Sequence, residues 1–550
     1  MKDRNNTLKT ISHWYNIRFK IILDSIVIGI LTGLAIVLIR LIIQKSEFFQ
    51  VKIYSFLKTH LWYIPLLFIA LAAIGYLIGW IIKKEPMIRG SGIPQVEGVL
   101  LRKLSTSWWK VLIGKTLGAI LSIGAGLSLG REGPSIQIGA AIGQGYSKTL
   151  KRVRAHENFL ITSGASAGLA AAFNAPLAGV IFALEEIHKN FSSLILLGAV
   201  FSAISADFVS KEFFGLKPIF VFTNINILPL NYYGYIVLLG IILGAFGALF
   251  NLLLLKTKDL YIKRKWLPVQ IRPIIPLLFA GIFGLFLPQI LGGGQNIVMS
   301  LTSNSYTVKF LIVLLVAKFL FTIFSYGSGA PGGIFMPLLV VGAIAGNLVA
   351  NLLSSVFNFQ NAYISTFAVL AMAGYFAAIV KAPITGIVLI TEMTGSFSHI
   401  LPLSIVVMTS YIISTLLGSK PIYESLLERS LVNEEYAEFK GDKKTKIILE
   451  IAVCTDSNLD GKMIKEISWP IDSLLVGVKR GESEIIPRGD TVINAGDYLV
   501  VLVNEENAEK AKSLLTEIAD HCIIQTHSQS IEVFRNIFKK ILVFLKLKKH

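Results

Sequence analysis

The chain has 550 residues, of which 53% are hydrophobic and only 16% charged, against about 25% in soluble domains. Its longest stretch without Asp, Glu, Lys or Arg, 319–380, far exceeds the ~20 residues that cross a bilayer, so an ordinary soluble protein is excluded. The formal net charge of +18 would suggest nucleic acid in a soluble chain, but much of the excess flanks apolar runs, as expected of cytoplasmic termini.

Residues 1–20 carry Lys2, Arg4, Lys9, Arg18 and Lys20 and read as a basic cytoplasmic segment. The first apolar run, about 21–43, is too long for a signal-peptide core and lacks a small-residue cleavage pattern, so it reads as retained. Further helical candidates lie near 62–82, 109–126, 158–186, 194–209, 230–255, 273–290, 309–325, 333–353, 363–393 and 400–418. Several contain Gly or Pro, and broken helices are tolerated in a membrane only where the freed backbone groups line a cavity or pack in protein. The membrane-embedded region therefore spans 21–425, and a charged linker follows at 426–446. Residues 447–520 change to a small α/β pattern: IILEIAV, SLLVGVKR and DYLVVLV as strands, turns at NLDGK and AGD, and a helix near 505–518. The remainder, 521–550, ends in IEVFRNIFKKILVFLKLKKH, a basic amphipathic helix or a frayed basic tail. Cys454 and Cys522 have no metal-ligand spacing and read as free thiols.

An internal repeat runs through the apolar part. With Pro176 set against Pro383, Ala175, Gly179 and Glu185 fall on Ala382, Gly386 and Glu392. At nearly the same offset GREGP (130–134) falls on GIFMP (333–337), GSG (90–92) on GGG (292–294), and Lys115 on Lys318. Paired Gly/Pro-interrupted segments in two halves point to a transporter's central site. In GSGIPQ (90–95), GREGP and GIFMP, Gly beside Pro stops one helix and starts another. The new helix begins with unpaired N–H groups, which suit an anion.

GSGIPQVEG, GREGPSIQIG, GIFMP and the late Tyr423, in this order, resemble the CLC family of chloride channels and proton-coupled chloride transporters. The resemblance covers roughly 20–425 and implies an all-α polytopic membrane protein with two inverted repeats. About 18 helices are expected, many not fully spanning, with the small α/β cytoplasmic domain appended. It implies a homodimer in the cell membrane; the basic ends read as cytoplasmic termini, and a C-terminal domain unlike the CBS domains of eukaryotic members points to a prokaryotic source. Ser91 and Tyr423 would offer hydroxyls to chloride, and Ile334 and Phe335 their backbone N–H groups. Glu132 would be the gate.

The residues give Glu132 its own argument. A charge at mid-bilayer costs about 2.5–3.5 kcal/mol on insertion scales, so an intramembrane glutamate is a functional candidate. Its carboxylate is an anion that fits a chloride site and leaves it on protonation. An Arg131–Glu132 salt bridge is disfavoured because adjacent helical residues do not face each other; Arg131 reads as local support. Glu185 and Glu186 close an apolar run, and on residues alone they could equally be solvated. The resemblance adds that exchangers keep glutamate at the second position, so Glu186 becomes the proton-transfer residue and Glu185 its support. Proton-coupled chloride antiport is the expected function; the alternative is a passive voltage- or pH-gated chloride channel on the same fold. Serine at 91 favours chloride over nitrate- or fluoride-type selectivity. Gln95 replaces an acid common in bacterial relatives, a departure expected to be silent, with Glu97 and Lys115 forming a buried pair.

The run DGKMIKEISWP…LLVGVKRGESEIIPRGDTVINAGDYLVVLV resembles the TrkA-C regulatory domain. That implies a small ligand, in some members a cyclic dinucleotide, with transport regulated through the domain; a purely structural dimer clamp is the alternative. An intramembrane enzyme is disfavoured: no nucleophile–histidine pair or HExxH occurs. No cofactor, metal or nucleic acid is expected, chloride and protons being substrates and lipid the surroundings.

Overall fold

The computed structural model describes residues 2–519 apart from 153, 190, 221–225, 265, 304–305, 358, 433–445, 456, 471–472 and 482. The tail 521–550 and most of the expected linker lie outside these. The described chain forms two units, divided near residue 436.

The first unit is helical throughout. A single helix, Lys2–Thr59, includes both the expected N-terminal segment and the first apolar run. Among the described residues, seven helical stretches are long and apolar enough to cross a membrane: Arg18–Thr59, Leu61–Lys84, Ser193–Phe214, Leu230–Lys263, Val308–Gly327, Phe335–Phe357 and Asn361–Val380. Between them lie shorter pieces such as Ile93–Leu100, Pro176–Phe182 and Pro383–Thr394. Proline opens or nearly opens each, because its fixed φ suits the first turn and its missing N–H is not needed there. The expected run 158–186 is thus broken in the structure into Arg154–Phe173, Pro176–Phe182 and a π-helical turn, Ala183–His188. The last helix, Ile422–Val432, runs into the stretch expected as linker.

Small residues set the closest helix approaches. Helices Glu132–Thr149 and Arg154–Phe173 touch at Gly139 and Gly164, where a Cβ on either would fall 2.0 Å from the other's carbonyl oxygen. Such contacts replace the hydrophobic drive that lipid cannot supply. Arg40, inside the first apolar run, is buried: one amino nitrogen donates to the Ala171 carbonyl (2.6 Å), Asn174 Oδ1 (2.7 Å) and Ser210 Oγ (2.7 Å), while its Nε has no partner among the described residues.

The duplication is visible as reciprocal contacts. Gly130 and Gly333 exchange backbone hydrogen bonds of 2.7 Å in both directions. Gly90 N–H donates to Gly329 O, and Gly292 N–H to Gly126 O. Lys115 donates to Ile88 O and Gly90 O (2.9 and 2.6 Å), while Lys318 donates to Ile290 O and Gly292 O (2.8 and 2.7 Å). Glu185 accepts from Ile384 N and Thr385 N at the start of Pro383–Thr394 (3.1 and 2.8 Å). Glu392 does the same for Leu177 N and Ala178 N at the start of Pro176–Phe182 (3.1 and 2.8 Å). Each carboxylate satisfies the orphan donors of the other half's helix and complements its dipole.

The second unit holds a four-stranded antiparallel sheet. Its strands are β1 (Lys446–Ala452), β2 (Ser473–Arg480), β3 (Ser483–Ile485) and β4 (Tyr498–Asn504), in the order β1-β4-β2-β3. Helix 508–519 packs Ala508, Ala511, Leu515 and Ala519 against Ile451, Val478, Leu499, Val501 and Val503. The short strand β3 is not apparent in the sequence pattern. Arg480 forks onto Asp497 with two 2.8 Å bonds, and Asn494 N–H adds a third at 2.9 Å. Burial works to raise the Asp497 carboxyl, but these bonds outweigh it and hold it below the usual carboxylate range.

Candidate functional site

Two helices begin back to back at the Gly130–Gly333 bridge: Glu132–Thr149 from one half and Phe335–Phe357 from the other. Their first-turn amides have no intrahelical acceptor, so two positive helix ends meet inside the protein. Ser91 joins them: its backbone carbonyl and Cβ lie beside Gly133, where Gly333 also approaches. Ser91 is buried, and its Oγ accepts from Ile93 N (3.3 Å) and, at longer reach, from Tyr326 OH (3.4 Å). With both contacts accepted, the serine proton remains available to a bound anion.

Glu132 is 2% exposed at the first position of its helix. Its carboxylate folds back over Gly130: a Cβ there would fall 2.2 Å from Glu132 Oε2, with the Met336 amide nitrogen at 3.2 Å. Only glycine leaves this space. Oε2 has no hydrogen-bond partner among the described residues. The Met336 amide, in the first turn of the opposite helix, acts on this carboxylate, and such first-turn amides suit an anion. The cations that reach it are Arg131 and Arg40. Arg131 does not pair with Glu132; its guanidinium points to the Ala172 carbonyl at 3.5 Å.

Tyr423 is fully buried at the start of Ile422–Val432, and its hydroxyl has no partner among the described residues. The ionisable groups that reach it electrostatically are Tyr326, Glu186 and Glu132. Ile334 and Phe335 are buried, and Phe335 sits among Phe173, Phe182 and Phe376 with ring centroids 5.1, 5.7 and 4.5 Å away. That aromatic cage fixes the helix start, leaving the backbone as the polar surface.

Glu186 is 4% exposed in the π-helical turn, with Oε1 unpartnered among the described residues. Glu185, beside it, is spent on capping Pro383–Thr394 and so supports the fold across the two halves. The expected Glu97–Lys115 pair is corrected. Lys115 spends its ammonium on two carbonyls of the 88–90 turn, and Glu97 instead binds Lys189 at 2.6 Å. Gln95 donates to the Arg89 carbonyl at 2.8 Å.

Sequence reasoning missed Tyr326, Arg40, Lys189 and the Met336 amide. Lys115, Lys318 and Glu392 were visible as repeat partners, but their carbonyl and amide contacts were not. Among the described residues, no group of His, Cys, Asp and Glu is arranged to hold a metal ion.

Paired broken helices around a buried glutamate define an anion-transport architecture, and the chain belongs to the voltage gated chloride channel family, whose pattern matches residues 74–415. Residues 448–516 match the TrkA-C domain. The chain is similar to the H(+)/Cl(-) exchange transporter ClcA of Vibrio cholerae serotype O1 (strain M66-2), with 36% identity over 430 residues covering 76% of this chain and 91% of that protein. It is also similar to the ClcA exchange transporter of Citrobacter koseri, 37% identical over 431 residues, covering 76% and 89% respectively. A crystal structure of a slow cyanobacterial Cl-/H+ antiporter superposes with a TM-score of 0.72 at 32% identity, covering 75% of this chain and 98% of that one. The fold is therefore the mostly helical CLC fold with a small C-terminal sheet-and-helix domain, in a multi-pass membrane protein.

Proposed function

We propose that this chain exchanges chloride for protons across a cell membrane. The observation that carries the reading is the buried Glu132 carboxylate folded over Gly130 at the start of its helix, within reach of the Met336 backbone amide at the start of the opposite helix. Chloride is held by what the motifs supply: the Ser91 and Tyr423 hydroxyls and the backbone N–H groups of Ile334 and Phe335. No cation has to be desolvated for this, because the helix ends carry the positive potential.

Glu132 competes with chloride for that potential while ionised. A proton removes its charge, weakens its hold on the amide, and lets the side chain leave. One group thus links proton occupancy to anion access, which is the minimum an exchanger needs. Glu186 relays protons toward Glu132, and burial with an unpartnered oxygen supports a transfer role over a solvated helix end. Arg131 contributes positive potential near the gate, and Glu185 holds the Glu186 turn against the second half.

Three further assignments belong to this reading. The chain works as a homodimer with both termini cytoplasmic in a prokaryotic membrane. The TrkA-C domain binds a small ligand, such as a cyclic dinucleotide, and regulates transport through it. No cofactor takes part. In liposomes, replacing Glu132 by Ala should abolish proton movement while chloride still flows; proton transport surviving that change would refute the gate assignment.

A further inference from the structure

Lys189 follows the turn that carries Glu185 and Glu186, in the left-handed region at φ 55°. A non-glycine residue is uncommon there, and the left-handed turn ends the π-helical stretch at Lys189. The ammonium donates to Glu97 Oε1 at 2.6 Å and to Glu424 Oε1. These acceptors are not arbitrary. Glu97 lies on Ile93–Leu100, the short helix that begins just after Ser91, and Glu424 directly follows Tyr423. One cation therefore fastens both helices that present hydroxyls to chloride onto the turn that presents Glu186.

The grip is not an ordinary surface pair. The Glu97 side chain is 4% exposed, while Lys189 is 33% and Glu424 42% exposed, so the ammonium reaches from solvent into a buried carboxylate. Glu97, Glu424 and Glu186 all act on Lys189 electrostatically. The other titratable groups facing the cluster are Glu185, which caps a helix, His188, whose Nδ1 lies 3.0 Å from Thr162 Oγ1, and Tyr423. Three carboxylates thus share one ammonium. Adding a proton at Glu186 changes how strongly Lys189 is drawn to that turn relative to its two ion-pair partners.

We propose that Lys189 is a positioning residue for coupling: its ammonium ties the Ser91 and Tyr423 helices to the Glu186 turn. A proton on Glu186 is then felt at the anion gate. This rests on the exchange reading above. Lys189 does not itself touch chloride or carry the proton. Without it the anion path stays built, but the gate no longer senses Glu186.

The test uses the full chain in liposomes, measuring chloride efflux and proton uptake together for the wild type, Lys189→Met, Lys189→Arg and Glu424→Gln. Chloride flux in Lys189→Met should stay within about threefold of wild type, while protons moved per chloride fall about fivefold or more. Lys189→Arg should restore most of the ratio, and Glu424→Gln should lower it in the same direction. A wild-type ratio in Lys189→Met, or a proportional loss of both fluxes that leaves the ratio unchanged, would overturn the inference. If Lys189→Met does not fold, Glu424→Gln decides, because it removes a half-exposed arm and leaves the buried one. Wild-type protein that moves no protons uphill sinks the exchange reading and this inference together; a coupled wild type with an equally coupled Lys189→Met sinks the inference alone.

Discussion

Glu132 and Gly130 form a single device at the residue scale. The carboxylate occupies the volume that any Cβ at 130 would need, 2.2 Å from Oε2. Gly130→Ala should push the gate off the Met336 amide and lower the protons moved per chloride, measured as paired fluxes; an unchanged ratio would show that the carboxylate has room elsewhere. Glu186→Val should stop proton movement and spare chloride flux, and proton transport that survives it would remove Glu186 from the proton path. Glu132 could be read in the sequence because an intramembrane charge is a local signal, whereas the chloride roles of Ser91 and Tyr423 come only through the family resemblance. Lys189 and Arg40 could not be read there. Their partners lie 92 or more positions away, beyond what spacing reveals. The Glu97–Lys115 pairing failed for a related reason: opposite charge is visible in sequence, but the carbonyls that claim Lys115 are not.

Among the elements, the two halves brace each other through Glu185 and Glu392. Each caps a proline-initiated helix in the other half, so each loss should cost a similar amount, about 1–2 kcal/mol. Glu392→Gln and Glu185→Gln should lower thermal stability in detergent by comparable steps; a large difference between them would break the reciprocity argued here. The repeat alignment already paired these residues, which is why the reciprocal arrangement was legible. The breaks within 158–186 were not, since a run of apolar residues hides a change from α to π winding. In the C-terminal unit, the Arg480–Asp497 fork sets a pH dependence. Asp497 titrates below its ordinary 3.8, so the fork's contribution is complete above that value and is lost as pH falls through the folded one. Asp497→Asn should raise hydrogen exchange in β2 and β4 at neutral pH and remove its steep rise in acid; an acid profile like that of wild type would contradict the assignment.

For the whole molecule, the groups proposed to handle chloride and protons fall within one of the two units. The helical unit contains every group assigned to chloride and proton handling, and the TrkA-C unit contains none of them. A chain ending before residue 447 should therefore keep coupled transport and lose any response to a cyclic dinucleotide. Coupling itself is the central claim, and one measurement addresses it most directly. Purified protein in liposomes, with an outward chloride gradient, no pH gradient and voltage clamped by potassium and valinomycin, is followed by internal pH. The account predicts proton movement against its own electrochemical gradient, abolished in Glu132→Ala. Chloride flux with no uphill proton movement would contradict it and make the protein a passive channel on the same fold.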